Sequence, residues 1–192
     1  MRKHVNARKA LQDGFSQAVK GTEGVGIAIT EAVADTLVEA FQGTGQVGDS
    51  LLGAVSEIAG CAVRGAGKVG AQIGAVAKGF ILGMLRATGE IGEEALLTIA
   101  KAAGCFIKHT GALGGDLASA AKGLVEGAIG LGAELGLDAT EAASVAGQAA
   151  LDAAYDISAT AGEKVRDGLK GTIAGIKVVL QEPFVAHKGG RR

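Results

Sequence analysis

Residues 45–66 read GQVGDSLLGAVSEIAGCAVRGA. Within them Val47, Leu51, Val55, Ile58, Ala62 and Val63 recur at steps of four, four, three and four, with Val63 beside Ala62, which is the spacing of one face of an α-helix. The stretch that follows places Val69, Ile73, Ala77, Phe80, Met84 and Leu85 in the same phase, and the next places Ile91, Ala95, Ile99, Ala102, Phe106 and Ile107. Equivalent residues lie 22 apart, and 22 residues are six turns at about 3.67 residues per turn, so they fall on one line along a helix axis. A branched apolar residue followed by glycine marks every copy: Val25/Gly26, Val47/Gly48, Val69/Gly70, Ile91/Gly92, Leu113/Gly114 and Leu135/Gly136. The chain is therefore predicted to repeat one helical unit, near residues 23–44, 45–66, 67–88, 89–110, 111–132 and 133–154. Gly26, Gly48, Gly70, Gly92, Gly114 and Gly136 are expected to mediate helix packing.

Two arrangements satisfy this periodicity: long continuous helices with a straight apolar stripe, or short antiparallel helices joined by tight turns. The junctions favour short helices. Arg64-Gly65-Ala66-Gly67, Arg86-Ala87-Thr88-Gly89 and Lys108-His109-Thr110-Gly111 combine a basic residue, glycine and small or hydroxyl residues, which suits a helix end followed by a Thr N-cap. Acidic residues such as Asp49, Glu90, Asp116 and Glu134 come early in their units and Arg64, Arg86 and Lys108 come late, an order that suits separate helix dipoles and that Lys68 and Glu126 break. The expected fold is all-α, with Gly/Ala-rich 22-residue repeats forming short antiparallel helices in a bundle or solenoid. A basic segment at 1–7 precedes the repeat domain at 8–181, and a basic tail follows at 182–192. The register shifts after Ala154, and Val165, Leu169, Ile173, Ile176 and Leu180 predict a helical capping unit at 163–181.

Thirty-three of the 192 residues are glycine. Each one inside a helix costs about 0.5–1 kcal/mol relative to alanine, so close backbone contact is expected to offset it. Gly70/Gly74, Gly79/Gly83 and Gly123/Gly127 have the four-residue spacing that lets two helices approach closely. Hydrophobic residues make up 48% and mean hydropathy is +0.32. Even so, the most apolar stretch, Val69 to Leu85, contains Gln72 and Lys78 and is shorter than the roughly 20 residues a membrane span needs. No apolar core with a cleavage site follows the basic start, so a cytoplasmic location is expected, with membrane association as the alternative.

The net charge of −1 supplies no field that would draw the chain to nucleic acid. Basic residues gather at the ends: Arg2, Lys3, Arg8 and Lys9 beside His4, and Lys188, Arg191 and Arg192 after Pro183. Solvated termini account for them, and contact with an anionic surface is the other reading. Little catalytic chemistry is legible. Cys61 and Cys105 occupy one position of alternate units, as small buried side chains or as partners in a thiol link. His4, His109 and His187 lie at termini or a junction, and His109 reads as a helix C-terminal residue. Gly65-Ala66-Gly67-Lys68-Val69-Gly70 contains the G-x-G-x-x-G string without the preceding strand that phosphate binding requires. No catalytic residue, metal site or cofactor is expected, and the chain is read as a non-enzyme.

The 22-residue amphipathic unit resembles that of the exchangeable apolipoproteins. Residues 161–171, Ala-Gly-Glu-Lys-Val-Arg-Asp-Gly-Leu-Lys-Gly, are similar to the 11-residue repeats of late-embryogenesis-abundant proteins. The resemblance implies reversible lipid coating or membrane protection. Three functions follow. The first is a non-catalytic structural or scaffold protein that associates with its own copies or with a protein partner through Gly/Ala-rich helices. The second is a lipid-associating protein that coats a membrane or encloses a lipophilic molecule. The third is a membrane-inserting or pore-forming protein.

Overall fold

The computed structural model describes residues 27, 29–35, 38, 49–69, 72–91, 95–132 and 135–181. After a helical segment at 29–35 come α1 (Asp49–Val69), α2 (Ile73–Ile91), α3 (Ala95–Ala112), α4 (Leu117–Gly132), α5 (Ala139–Ile157) and α6 (Ala159–Leu169). The stripe read from the sequence is the core. Val55, Ile58, Ala62, Val63, Ala77, Phe80, Met84, Leu85, Ile99, Ala102, Phe106 and Ile107 are all buried. Their removal from water is the main favourable term holding the helices together.

The helices are short and separate, and connections too brief to cross the molecule turn consecutive ones antiparallel. Their ends lie several residues later than the junctions predicted. Arg64 to Gly67 falls inside α1, and Lys108 to Gly111 falls inside α3. Two of the turns come instead at apolar/glycine pairs, Leu113/Gly114 and Leu135/Gly136. Gly114 adopts φ +69° and Gly136 φ +75°. The Gly115 amide donates to the Thr110 carbonyl, the Gly114 amide to that of Gly111, and the Leu137 amide to that of Gly132. This is the Schellman end, in which a left-handed residue lets the chain cap the last carbonyls. A Cβ at Gly114 or Gly136 would meet nothing within 4 Å, so these two glycines make turns rather than helix contacts. Gly26, Gly48, Gly70 and Gly92 lie outside the described residues, as do the basic residues Arg2, Lys3, Arg8, Lys9, Lys188, Arg191 and Arg192.

Two residues after each turn glycine an aspartate starts the next helix. Asp116 Oδ1 accepts from the Ala118 and Ser119 amides at 3.0 and 3.1 Å, and Asp138 Oδ1 accepts from the Glu141 amide at 2.9 Å. Asp and Ser, rather than the Thr expected, are thus the N-caps. Thr110 is buried inside α3 and donates to the Phe106 carbonyl. Ser158 alone joins α5 to α6 and caps the latter, its Oγ accepting from the Ala161 amide at 3.1 Å.

The predicted helix over 163–181 is corrected. α6 begins at Ala159, and the chain leaves helix after Leu169 to form a hairpin, β1 (Thr172–Ile173) against β2 (Ile176–Lys177). Its loop residues Ala174 and Gly175 both have positive φ, 47° and 83°, as a type I′ turn requires. The β-branched Thr172, Ile173, Ile176, Val178 and Val179 favour extended backbone over helix.

Helices two apart in sequence pack more closely than consecutive ones through α1, α2 and α3, giving two layers, α1-α3-α5 and α2-α4-α6. Segment 29–35 lies against α2. Phe80 of α2 and Phe106 of α3 join the layers, with ring centroids 5.1 Å apart at 40°.

Candidate functional site

The seams within each layer are where side chains and backbones meet most tightly, and they are built on small residues. A Cβ on Gly123 of α4 would overlap the Gly74 backbone of α2, and one on Gly127 would overlap the Ile81 side chain. A Cβ on Gly83 would come within 2.6 Å of the Thr30 carbonyl oxygen. Thr30 Oγ1 donates to the Gly79 carbonyl at 3.1 Å across the same seam. The four-spaced pairs Gly79/Gly83 and Gly123/Gly127 therefore sit where backbones approach, and Gly74 receives Gly123.

Contacts within the layers span separations of 45 to 53 residues, and one separation recurs. Thr30 meets Gly79, a separation of 49 residues. Gly60 with His109, Gly74 with Gly123, Lys78 with Gly127 and Gly104 with Ala153 have the same separation. Along α2–α4 and α3–α5 the partners advance together, so helices within a layer run parallel.

The α1–α3 seam gathers the polar and sulfur-bearing residues of interest. Ser56 Oγ and His109 Nε2 are 3.1 Å apart. The His109 ring lies over Gly60, where a Cβ would be 3.1 Å from Cε1 and 3.3 Å from Nδ1. Arg64 also reaches over Gly60 and donates from Nη2 to Cys61 Sγ at 3.5 Å. His109 is thus an interhelical contact, a role that its place near the end of α3 did not signal.

Cys61 and Cys105 are both free and half-buried. Their separation of 44 differs by five residues from the 49-residue register, which sets them about 7.5 Å apart along the layer. Cys61 stands level with Thr110, and Cys105 with Ser56. Burial raises the Cys105 thiol above its ordinary pKa, with Lys108 opposing.

Chemically the Ser56–His109 pair ties two helices. Among the described residues, no three His, Cys, Asp or Glu side chains are grouped to hold a metal ion. The glycine string at residues 65–70 is helical through Val69, the end of α1. No described helix is long and apolar enough to cross a membrane. No protein-family model matches the chain, and searches of curated proteins and of solved structures find no similar one.

Proposed function

We propose that the chain is a non-catalytic structural protein: a stack of Gly/Ala-rich helices, built on a 22-residue unit, that acts as a scaffold by associating with its own copies or with a protein partner. The observation that carries this reading is the narrow band of separations, 45 to 53 residues with 49 recurring, over which helices within the layers meet. The helix starts Ile73, Ala95, Leu117 and Ala139, each 22 residues after the last, support the same unit. A stack whose members meet over so narrow a band has faces suited to accept a further helix of the same kind, which is the physical basis of repeat scaffolds. Conserving that geometry requires small residues at the seams, and Gly74, Gly83, Gly123 and Gly127 supply them.

The large apolar side chains left in solvent also bear on the alternatives. Among the described residues, Ile27, Leu97, Leu113, Leu135, Ile157 and Val179 are exposed, and they are spread over different segments rather than gathered along one helix face. A lipid-coating helix needs a continuous apolar face, so the scaffold reading is preferred over the lipid-associating one. The test is size exclusion with light scattering on the full chain, with and without detergent, alongside flotation with anionic liposomes. A defined particle of unchanged protein mass in detergent, absent from the liposome fraction, supports the scaffold. A particle that detergent disperses, or that floats with liposomes, overturns it in favour of lipid association.

A further inference from the structure

After the hairpin, residues 178–181 run extended across α5. Val178 is buried, and a Cβ on Gly147 of α5 would come within 2.8 Å of its Cγ1 and 3.2 Å of Leu180 Cδ2. Two side chains of α5 hold the backbone of this segment. Ser144 Oγ accepts from the Val179 amide at 3.2 Å, and Gln148 Oε1 accepts from the Gln181 amide at 2.7 Å.

The positions of those two side chains give the contact its meaning. Ser56 and Gly60 of α1 face α3 through His109. Forty-four residues later, Gly104 of α3 faces Ala153 of α5. A further 44 residues lead from Gly104 to Gln148, and 88 lead from Ser56 to Ser144. The face with which α1 receives α3, and α3 receives α5, is thus the face on which α5 carries residues 178–181. Where α1 and α3 have a glycine that admits the next helix, α5 has a glutamine whose amide binds an extended strand.

We propose that residues 178–181 are a terminal cap, and that the α5 face beneath them is a docking surface for a helix of a second copy of this chain. This inference rests on the scaffold reading. The occupant follows from the stack itself, because the partner seated on the equivalent faces of α1 and α3 is a parallel helix of this sequence in the 49-residue register. Backbone amides of an edge segment need partners, and Ser144 and Gln148 provide them only while the segment lies on α5. With the cap lifted, small residues around Gly147 become available for close helix approach.

Two forms test this: a chain ending at Lys177, and the full chain carrying Ser144→Ala and Gln148→Gly. Each is compared with the unaltered chain by light scattering over a hundredfold range of concentration, with circular dichroism to follow helix content. The expected result is a constant mass for the unaltered chain and, for both altered forms, a mass that rises at least about twofold with concentration while helix content holds. Masses that stay constant with concentration, at the same copy number in all three forms, overturn the proposal and leave the scaffold reading to its detergent test. A rise in mass that detergent reverses also overturns it, since lipid-like contacts would then be the occupant. Loss of helix in the truncated form passes the decision to the double variant. Loss in both overturns the proposal, because the segment would then hold the fold rather than cover a surface.

Discussion

Helices α1 and α4 each contain four glycines, and they use them differently. In α4, Gly123 and Gly127 lie against the Gly74 backbone and the Ile81 side chain of α2, so that two parallel helices approach more closely than any Cβ would allow. In α1, a Cβ on Gly53 or Gly67 would meet nothing within 4 Å among the described residues. Both sets cost backbone entropy, yet only those at a seam gain packing in return. Glycine content alone therefore says little about a helix. What matters is whether the register brings a neighbouring backbone opposite.

The largest break in this comparison is expected from Gly123→Val. Its side chain must displace the Gly74 backbone in the first turn of α2, and the predicted loss is about 3 kcal/mol by denaturant unfolding. An unchanged midpoint would mean that the α2–α4 seam is looser than described. Gly114→Ala probes the other use of glycine, with ample room but a left-handed backbone, and should cost about 1–2 kcal/mol.

Asp116→Ala removes the cap two residues later, and a loss of about 1 kcal/mol is expected at neutral pH. The hydrogen bond from the Ser119 hydroxyl, joined by the Ser119 and Ala118 amides and the Lys164 charge, holds the Asp116 carboxyl below its usual value; burial opposes this shift. A depressed folded pKa means that the cap's charge-dependent share is full above 3.8 and is lost as pH falls through the lower folded value. The gap between Asp116→Ala and the unaltered chain should therefore narrow in acid, as followed by thermal melts across pH. The smallest effect, opposite in sign, is expected from Gly53→Ala, which should stabilise by about 0.5–1 kcal/mol because it meets nothing. A loss there would place an unseen contact on that face of α1.

The apolar stripe was legible because burial on one helix face imposes a local period, and Ile58, Phe80 and Phe106 lie in the core as that period requires. Helix ends were less legible. The same glycine/threonine clusters that suit a terminus also occur within α1 and α3, and only φ at Gly114 and Gly136 tells a turn glycine from a packing one. The hairpin escaped because Ile173, Ile176 and Leu180 keep helical spacing, while the positive φ at Ala174 and Gly175 decides the backbone. The Ser56–His109 contact was beyond reach for another reason. Its partners lie 53 residues apart, joined by the offset between two helices, a quantity that no local pattern carries.

That offset has a consequence for how such a chain grows. Because helices within a layer meet at separations of 45 to 53 residues along the described chain, the loop closed by adding a helix in that pattern would keep nearly the same length as the molecule lengthens. The entropic toll per added helix is then nearly constant, and folding need not slow as the chain lengthens, as it does when distant termini must pair. An insertion of two helices would keep every later helix in its own layer. An insertion of one would exchange the layers from that point onward, laying faces shaped for α3 and α5 against those shaped for α2 and α4.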